Sequence, residues 1–114
     1  MRTPKKILER RRSVRIQEVV PFQLNHHGYE IKAITINISR HGTMCLVKRD
    51  IALMTQLEVG LALSKTSIIR ARGVVVRKEK DPVTGGFFLA LFFSKISPKD
   101  REKLNRFIDE RLKG

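Results

Sequence analysis

Apolar positions along the chain change period once. From residue 14 to residue 93 they come in strand-like runs of five to eleven residues, several of them alternating with polar positions and separated by turn-forming residues. From residue 97 onward they recur every three or four. The first period belongs to strands and the second to a helix. Residues 14–24 form the first predicted strand, with Ile16, Val19, Val20, Phe22 and Leu24 as its apolar positions. Pro21 cannot donate to a ladder, so this strand lies at an edge or carries a bulge. Asn25-His26-His27-Gly28 is a turn signal that joins it as a hairpin to a second strand, residues 29–39.

In the second strand Ile34, Ile36 and Ile38 fall on one face, which is expected to be buried. Thr35, Asn37 and Ser39 fall on the other. A short third strand covers 43–47, and a fourth covers 57–63 with Leu57, Val59, Leu61 and Leu63 alternating. The fifth, 68–78, sets Arg70 and Arg72 against Ile69, Ala71 and Gly73. A glycine inside a strand predicts a bulge or a close backbone approach. The sixth, 87–93, is apolar throughout and is expected to be buried on both faces. Residues 97–112 then form a helix. Ser97 suits its N-cap, Pro98 its first position and Asp100 its first turn. Leu104, Phe107, Ile108 and Leu112 make one stripe, placed to pack on the open end or side of a small barrel. Six strands and a terminal helix, with no alternation of the two, predict a small antiparallel barrel or sandwich rather than a doubly wound sheet.

Composition adds a polyanionic partner to this picture. The chain has 114 residues, 41% of them hydrophobic, enough for one domain with a modest core. Its net charge is +13, unevenly spread. Residues 1–15 hold seven Lys/Arg against one Glu, residues 16–94 ten against six, and residues 95–114 seven against four. Residues 1–9 therefore read as a flexible basic leader, and residues 10–114 as the folded barrel with its helix at 97–112, with no second domain expected. The charge points to nucleotide, nucleic acid or an acidic surface. Cys45 is the single cysteine, between Met44 and Leu46, and reads as an inert core thiol. His26 and His27 share a turn, where adjacent histidines rarely chelate one ion without further ligands. No apolar run approaches about 18 residues, so no membrane span is expected. The basic N-terminus lacks the apolar stretch of a secretory signal, and a cytoplasmic protein follows by default. Enzyme chemistry finds little footing: no acid/base pair at useful spacing, no metal cluster, no phosphate-cradling glycine loop and no nucleophile beside a base.

Two stretches carry candidate binding chemistry. Asn37-Ile38-Ser39-Arg40-His41-Gly42 brings an amide and a hydroxyl to a strand end, followed by a glycine that leaves room for close approach. By itself this is also ordinary turn chemistry. Arg10, Arg11, Arg12 and Arg15 lie within six positions, just ahead of the first strand. The arginine fork fits phosphate and the Hoogsteen edge of guanine.

Together these stretches resemble the PilZ domain family, bacterial receptors for the second messenger cyclic di-GMP. The family's RxxxR motif is Arg11-Arg12-Ser13-Val14-Arg15, and its [D/N]xSxxG motif is Asn37-Ile38-Ser39-Arg40-His41-Gly42. The likeness covers about residues 9–112. It implies a six-stranded antiparallel barrel with one C-terminal helix, and a binding function without a cofactor. Arg11 and Arg15 would grip phosphate oxygens and a guanine edge. Asn37 and Ser39 would bond a guanine, and Gly42 would let the base pack against the backbone. Arg10 stands where relatives with an additional arginine hold a second stacked ligand, which predicts two molecules per monomer. Arg12 reads as a solvated charge, and Arg40 and His41 as either rim or plain surface. Asn37 replaces the frequent Asp, keeping an acceptor and dropping a charge.

On this reading cyclic di-GMP neutralises the arginine segment and folds it against the barrel. The signal then passes from a protein expected to be monomeric to a separate, unidentified effector protein. Two alternatives stand beside it. A basic small-barrel nucleic-acid binder fits the charge but not the scarcity of stacking residues, one Tyr and no Trp. A PilZ-like adaptor that contacts protein through the same loop would not need both motifs intact.

Overall fold

A computed structural model describes residues 15–113. In chain order the elements are β1 (Phe22–His26), β2 (Tyr29–Ile31), β3 (Ala33–Ile38), β4 (Gly42–Val47), β5 (Gln56–Ala62), β6 (Ile68–Lys80), β7 (Phe87–Ile96) and α1 (Pro98–Lys113). All strand pairs are antiparallel, in one seven-stranded sheet of order β2-β1-β5-β6-β7-β4-β3. It curls into a half-barrel whose hollow is filled by Leu24, Ile38, Leu57, Leu61, Ile69, Val75, Leu89 and Leu91. Leu104, Phe107 and Ile108 of α1 join that core.

The expected barrel-plus-helix architecture is present with one strand more. Residues 29–39 divide at Lys32 into β2 and β3, which lie at opposite ends of the sheet. The first predicted strand is shorter than its pattern. Among the described residues before Phe22 its ladder pairing is a two-bond bridge, Ile16 to Ile38, with N···O distances of 2.7 and 2.9 Å. The Thr35 hydroxyl donates to the Val20 carbonyl at 3.3 Å. Residues 16–20 thus run beside the free edge of β3. Pro21 sits just outside β1, where its carbonyl accepts from the Ala62 amide. The β1–β2 hairpin turns on His27 and Gly28, both at positive φ (53° and 83°), as a two-residue hairpin requires.

Two patterns are corrected by the sheet. The β3–β4 register shifts between Thr35 and Asn37, so one residue, Ile36, is extra. Thr35 pairs with the buried Cys45, and Asn37 with the half-buried Met44. Directly opposed residues share a face, so Thr35 turns inward and Asn37 outward. Ile34, expected in the core, is 55% exposed. On β7, Leu89, Leu91 and Phe93 are buried, but Phe92 is 48% exposed and Phe88 and Ala90 are only half-buried. The strand is open on its outer face, not covered on both. Gly73 meets its expectation: β6 shifts register there, and a Cβ would lie 3.1 Å from Val59 Cγ2.

Helix α1 starts as its sequence dictates. Ser97 Oγ accepts from the Asp100 amide at 3.1 Å, and Pro98 follows the cap. Its stripe ends one residue early, since Leu112 is half-exposed. Burial pushes the Cys45 thiol up to about 12, which keeps it protonated and unreactive. No helix among the described residues is long and apolar enough to cross a membrane. Leu104 has no exposed surface and plugs the hollow of the sheet. Leu104→Ala is expected to cost about 2–5 kcal/mol, read as a lower denaturant midpoint at unchanged m-value.

Candidate functional site

The outward turn of Asn37 founds the site. Its Oδ1 accepts from Arg15 Nη1 at 2.9 Å, across 22 residues of sequence. Arg15 is delivered there by its neighbour, because the Ile16–Ile38 bridge fixes the chain one residue away. The Asn37 carbonyl accepts from Thr43 Oγ1 at 2.6 Å, so the backbone on that side is anchored too. Asn37 is only 7% exposed, which makes its orientation a fixed one.

The turn from Ser39 to Gly42 closes β3 onto β4. The Ser39 amide donates to the Gly42 carbonyl at 2.8 Å. The Ser39 hydroxyl donates to the same carbonyl at 3.2 Å and accepts from the amides of His41 (3.3 Å) and Gly42 (3.2 Å). At 2% exposure it is committed to the turn itself. Gly42 is needed for a reason other than a left-handed backbone. A Cβ there would sit 2.0 Å from the Leu91 carbonyl oxygen of β7. What approaches Gly42 so closely is the neighbouring strand.

Arg40 and His41, alike in sequence, part ways. Arg40 reaches back to α1, where it pairs with Asp109 and donates to the Asn105 carbonyl at 3.5 Å. Its own carbonyl accepts from Arg101. His41 is exposed and lines a shallow pocket of about 120 Å³ with Arg15, Ser39, Gly42, Val76, Ala90 and Phe92. Val76 and Phe92 are about half exposed and form the apolar floor. The structure therefore gathers Arg15, Asn37, Ser39, His41 and Gly42, and sends Arg40 elsewhere. Arg10, Arg11 and Arg12 lie outside the described residues.

Val76, Ala90 and Phe92 were not legible as site residues, because an apolar strand reads as core. Their signal was their alternation: they stand out of phase with Val75, Leu89 and Leu91. A cationic fork, an amide and an apolar floor suit a planar, polar-edged ring attached to an anion. The pocket is far smaller than the roughly 300–1,000 Å³ that encloses a drug-sized ligand. A nucleotide held here must lie on the surface and be covered from its other side. Among the described residues no three His, Cys, Asp or Glu side chains group as a metal site.

Residues 9–110 match the model of the PilZ domain. The chain belongs to this family of cyclic di-GMP receptors. Among solved structures it is similar to the inhibitor of motility MotI/DgrA of Bacillus subtilis, at 23% identity and a TM-score of 0.78, over 97% of this chain and 57% of that one. It is similar to the PilZ domain of YcgR from Escherichia coli with c-di-GMP, at 16% identity and a TM-score of 0.67, over 90% of this chain and 91% of that one. Whole YcgR in complex with c-di-GMP gives 14% identity and a TM-score of 0.71, over 91% of this chain and 46% of that one. The chain thus spans about half the length of MotI/DgrA and of whole YcgR. No curated protein matches the sequence.

The packing of Gly42 makes a prediction. Gly42→Ala is expected to lower folding stability by at least about 1–3 kcal/mol, since the clash is with backbone that cannot swing away. Thermal unfolding without any nucleotide measures it; an unchanged Tm would contradict the geometry.

Proposed function

We propose that the protein is a receptor that binds cyclic di-GMP and acts by binding, without catalysis. The observation that carries this reading is the Arg15–Asn37 bond, which joins the two family motifs at the edge of an apolar pocket. An arginine fork has about five N–H donors, so one bond to Asn37 orients Arg15 without exhausting it. Arg15 and Arg11 grip phosphate oxygens and a guanine edge, and Asn37 bonds a guanine that rests on Val76 and Phe92. Ser39 and Gly42 contribute by holding the turn beside that base. Residues ahead of Arg15 supply the cover that the shallow pocket lacks, drawn down as their charge is neutralised. The covered surface differs from the uncovered one in shape and charge, and a separate cytoplasmic effector reads that difference.

Calorimetric titration with cyclic di-GMP tests the reading, with GTP and a short oligonucleotide as controls. Saturable binding of cyclic di-GMP alone is expected. Equal binding of the oligonucleotide would favour a nucleic-acid function instead. Arg15→Ala should weaken binding about 10- to 100-fold, the equivalent of one bidentate contact at roughly 1–3 kcal/mol. Asn37→Ala should also lose discrimination against cyclic di-AMP, because that side chain meets the base edge.

Arg10 sets stoichiometry in this proposal. Two stacked cyclic di-GMP molecules bring four phosphodiester charges together, more than Arg11 and Arg15 can balance. Two ligands per monomer are expected, falling toward one in Arg10→Ala. Titration at protein concentrations well above Kd reads the ratio, and a ratio of one in the parent would end this part of the proposal.

A further inference from the structure

Helix α1 holds both limbs of the site. Arg101, Asn105 and Asp109 are spaced by four and make one ridge of the helix. That ridge meets the Ser39–Gly42 turn through Arg40: Asp109 pairs with its guanidinium, the Asn105 carbonyl accepts from it, and Arg101 donates to its carbonyl. Two residues past Asp109, Arg111 grips Glu18 with two bonds, Nε to Oε1 at 2.7 Å and Nη2 to Oε2 at 3.2 Å. The Arg111 guanidinium also lies 4.3 Å over the Phe107 ring, which fixes its direction. Glu18 follows Arg15 by three residues in the segment beside β3.

The backbone of the turn is closed by 2.8 Å bonds from the Ser39 amide to the Gly42 carbonyl and from the Phe93 amide to the His41 carbonyl. Its Ser39 hydroxyl bonds are longer, at 3.2–3.3 Å, so what α1 adds is a hold on the Arg40 side of the turn. The contacts from α1 are charged, and charge-assisted bonds are the stronger kind. Phe107 and Ile108 are buried in the core, so the ridge is fixed relative to the sheet.

We infer that α1 is the positioning element of the site: Asp109 and Arg101 set the Ser39–Gly42 turn through Arg40, and Arg111 sets the Arg15 limb through Glu18. Arg40 is thereby a positioning residue and not a ligand contact. The inference rests on the cyclic di-GMP reading above, and assigns to the helix a role in that same site.

A double-mutant cycle tests it. Arg40→Gln, Asp109→Asn and the double variant are titrated with cyclic di-GMP, with thermal unfolding followed alongside. Amide exchange at His41 and Gly42 is measured in ligand-free protein. Asp109→Asn should weaken binding about two- to fivefold, the scale of a half-exposed ion pair. It should speed exchange at His41 and Gly42, while Asp109→Glu restores both. The double variant should lose no more affinity than Arg40→Gln alone. Arg106→Gln, which breaks the Arg106–Glu102 pair elsewhere on α1, should change neither reading. Additive losses would mean that Asp109 does not act through Arg40, and unchanged affinity in Asp109→Asn would mean that the pair positions nothing; either overturns the inference. If the parent fails to bind cyclic di-GMP, the functional reading falls, and unchanged exchange in Asp109→Asn then overturns the positioning role of α1 as well.

Discussion

One extra residue in β3 decides where the chemistry points. Without the bulge at Ile36, Thr35 and Asn37 would share a face, and a strand with Thr35 in the core would bury Asn37 beside it. With it, Ile38 closes the core while Asn37 looks outward to meet Arg15. Among the described residues the Arg15–Asn37 bond is the direct polar tie between the two motifs. In the inference above, the ion pairs of α1 hold the two limbs that this bond joins. Bulges re-aim side chains at binding sites in just this manner.

The surface around that bond supports the proposed compact nucleotide over a long strand. A single-strand binder lays successive bases on a row of aromatic rings. Among the described residues the exposed aromatic rings are Tyr29, Phe92 and the imidazoles of His27 and His41, and they fall in two places, the β1–β2 hairpin and the pocket beside Gly42. Phe92 and His41 beside one arginine and one amide do not make such a row, which supports the compact ligand proposed above. In that proposal the charge of +13 serves capture, raising the local concentration of an anion.

Period-2 and period-3.6 patterns made most of the fold legible. The cores of β5 and β6, the N-cap at Ser97 and the close approach at Gly73 all follow from local rules. What escaped those rules depends on contacts between distant residues. A bulge leaves the composition of β3 unchanged, so Ile34 read as core. The outer face of β7 read as buried because nothing local separates an apolar floor from an apolar core. Arg40 read as rim or surface, since its partners lie 61 to 69 residues downstream. Arg15 and Asn37 were legible as motif residues, but their bond depends on the Ile16–Ile38 bridge, which replaces the long first strand that the pattern implied.

Mapping the ligand onto the sheet tests the account most directly. Isotope-labelled protein titrated with cyclic di-GMP can be followed by NMR at the Asn37 side-chain amide, the Arg15 Nε and the backbone amides of Gly42 and Ala90. The account predicts that these resonances shift together and saturate at one affinity, while those of Gln23 and Gly60 on β1 and β5 stay in place. Saturable binding that leaves Asn37 and Arg15 unmoved, or that shifts the β1–β5 surface instead, would contradict it.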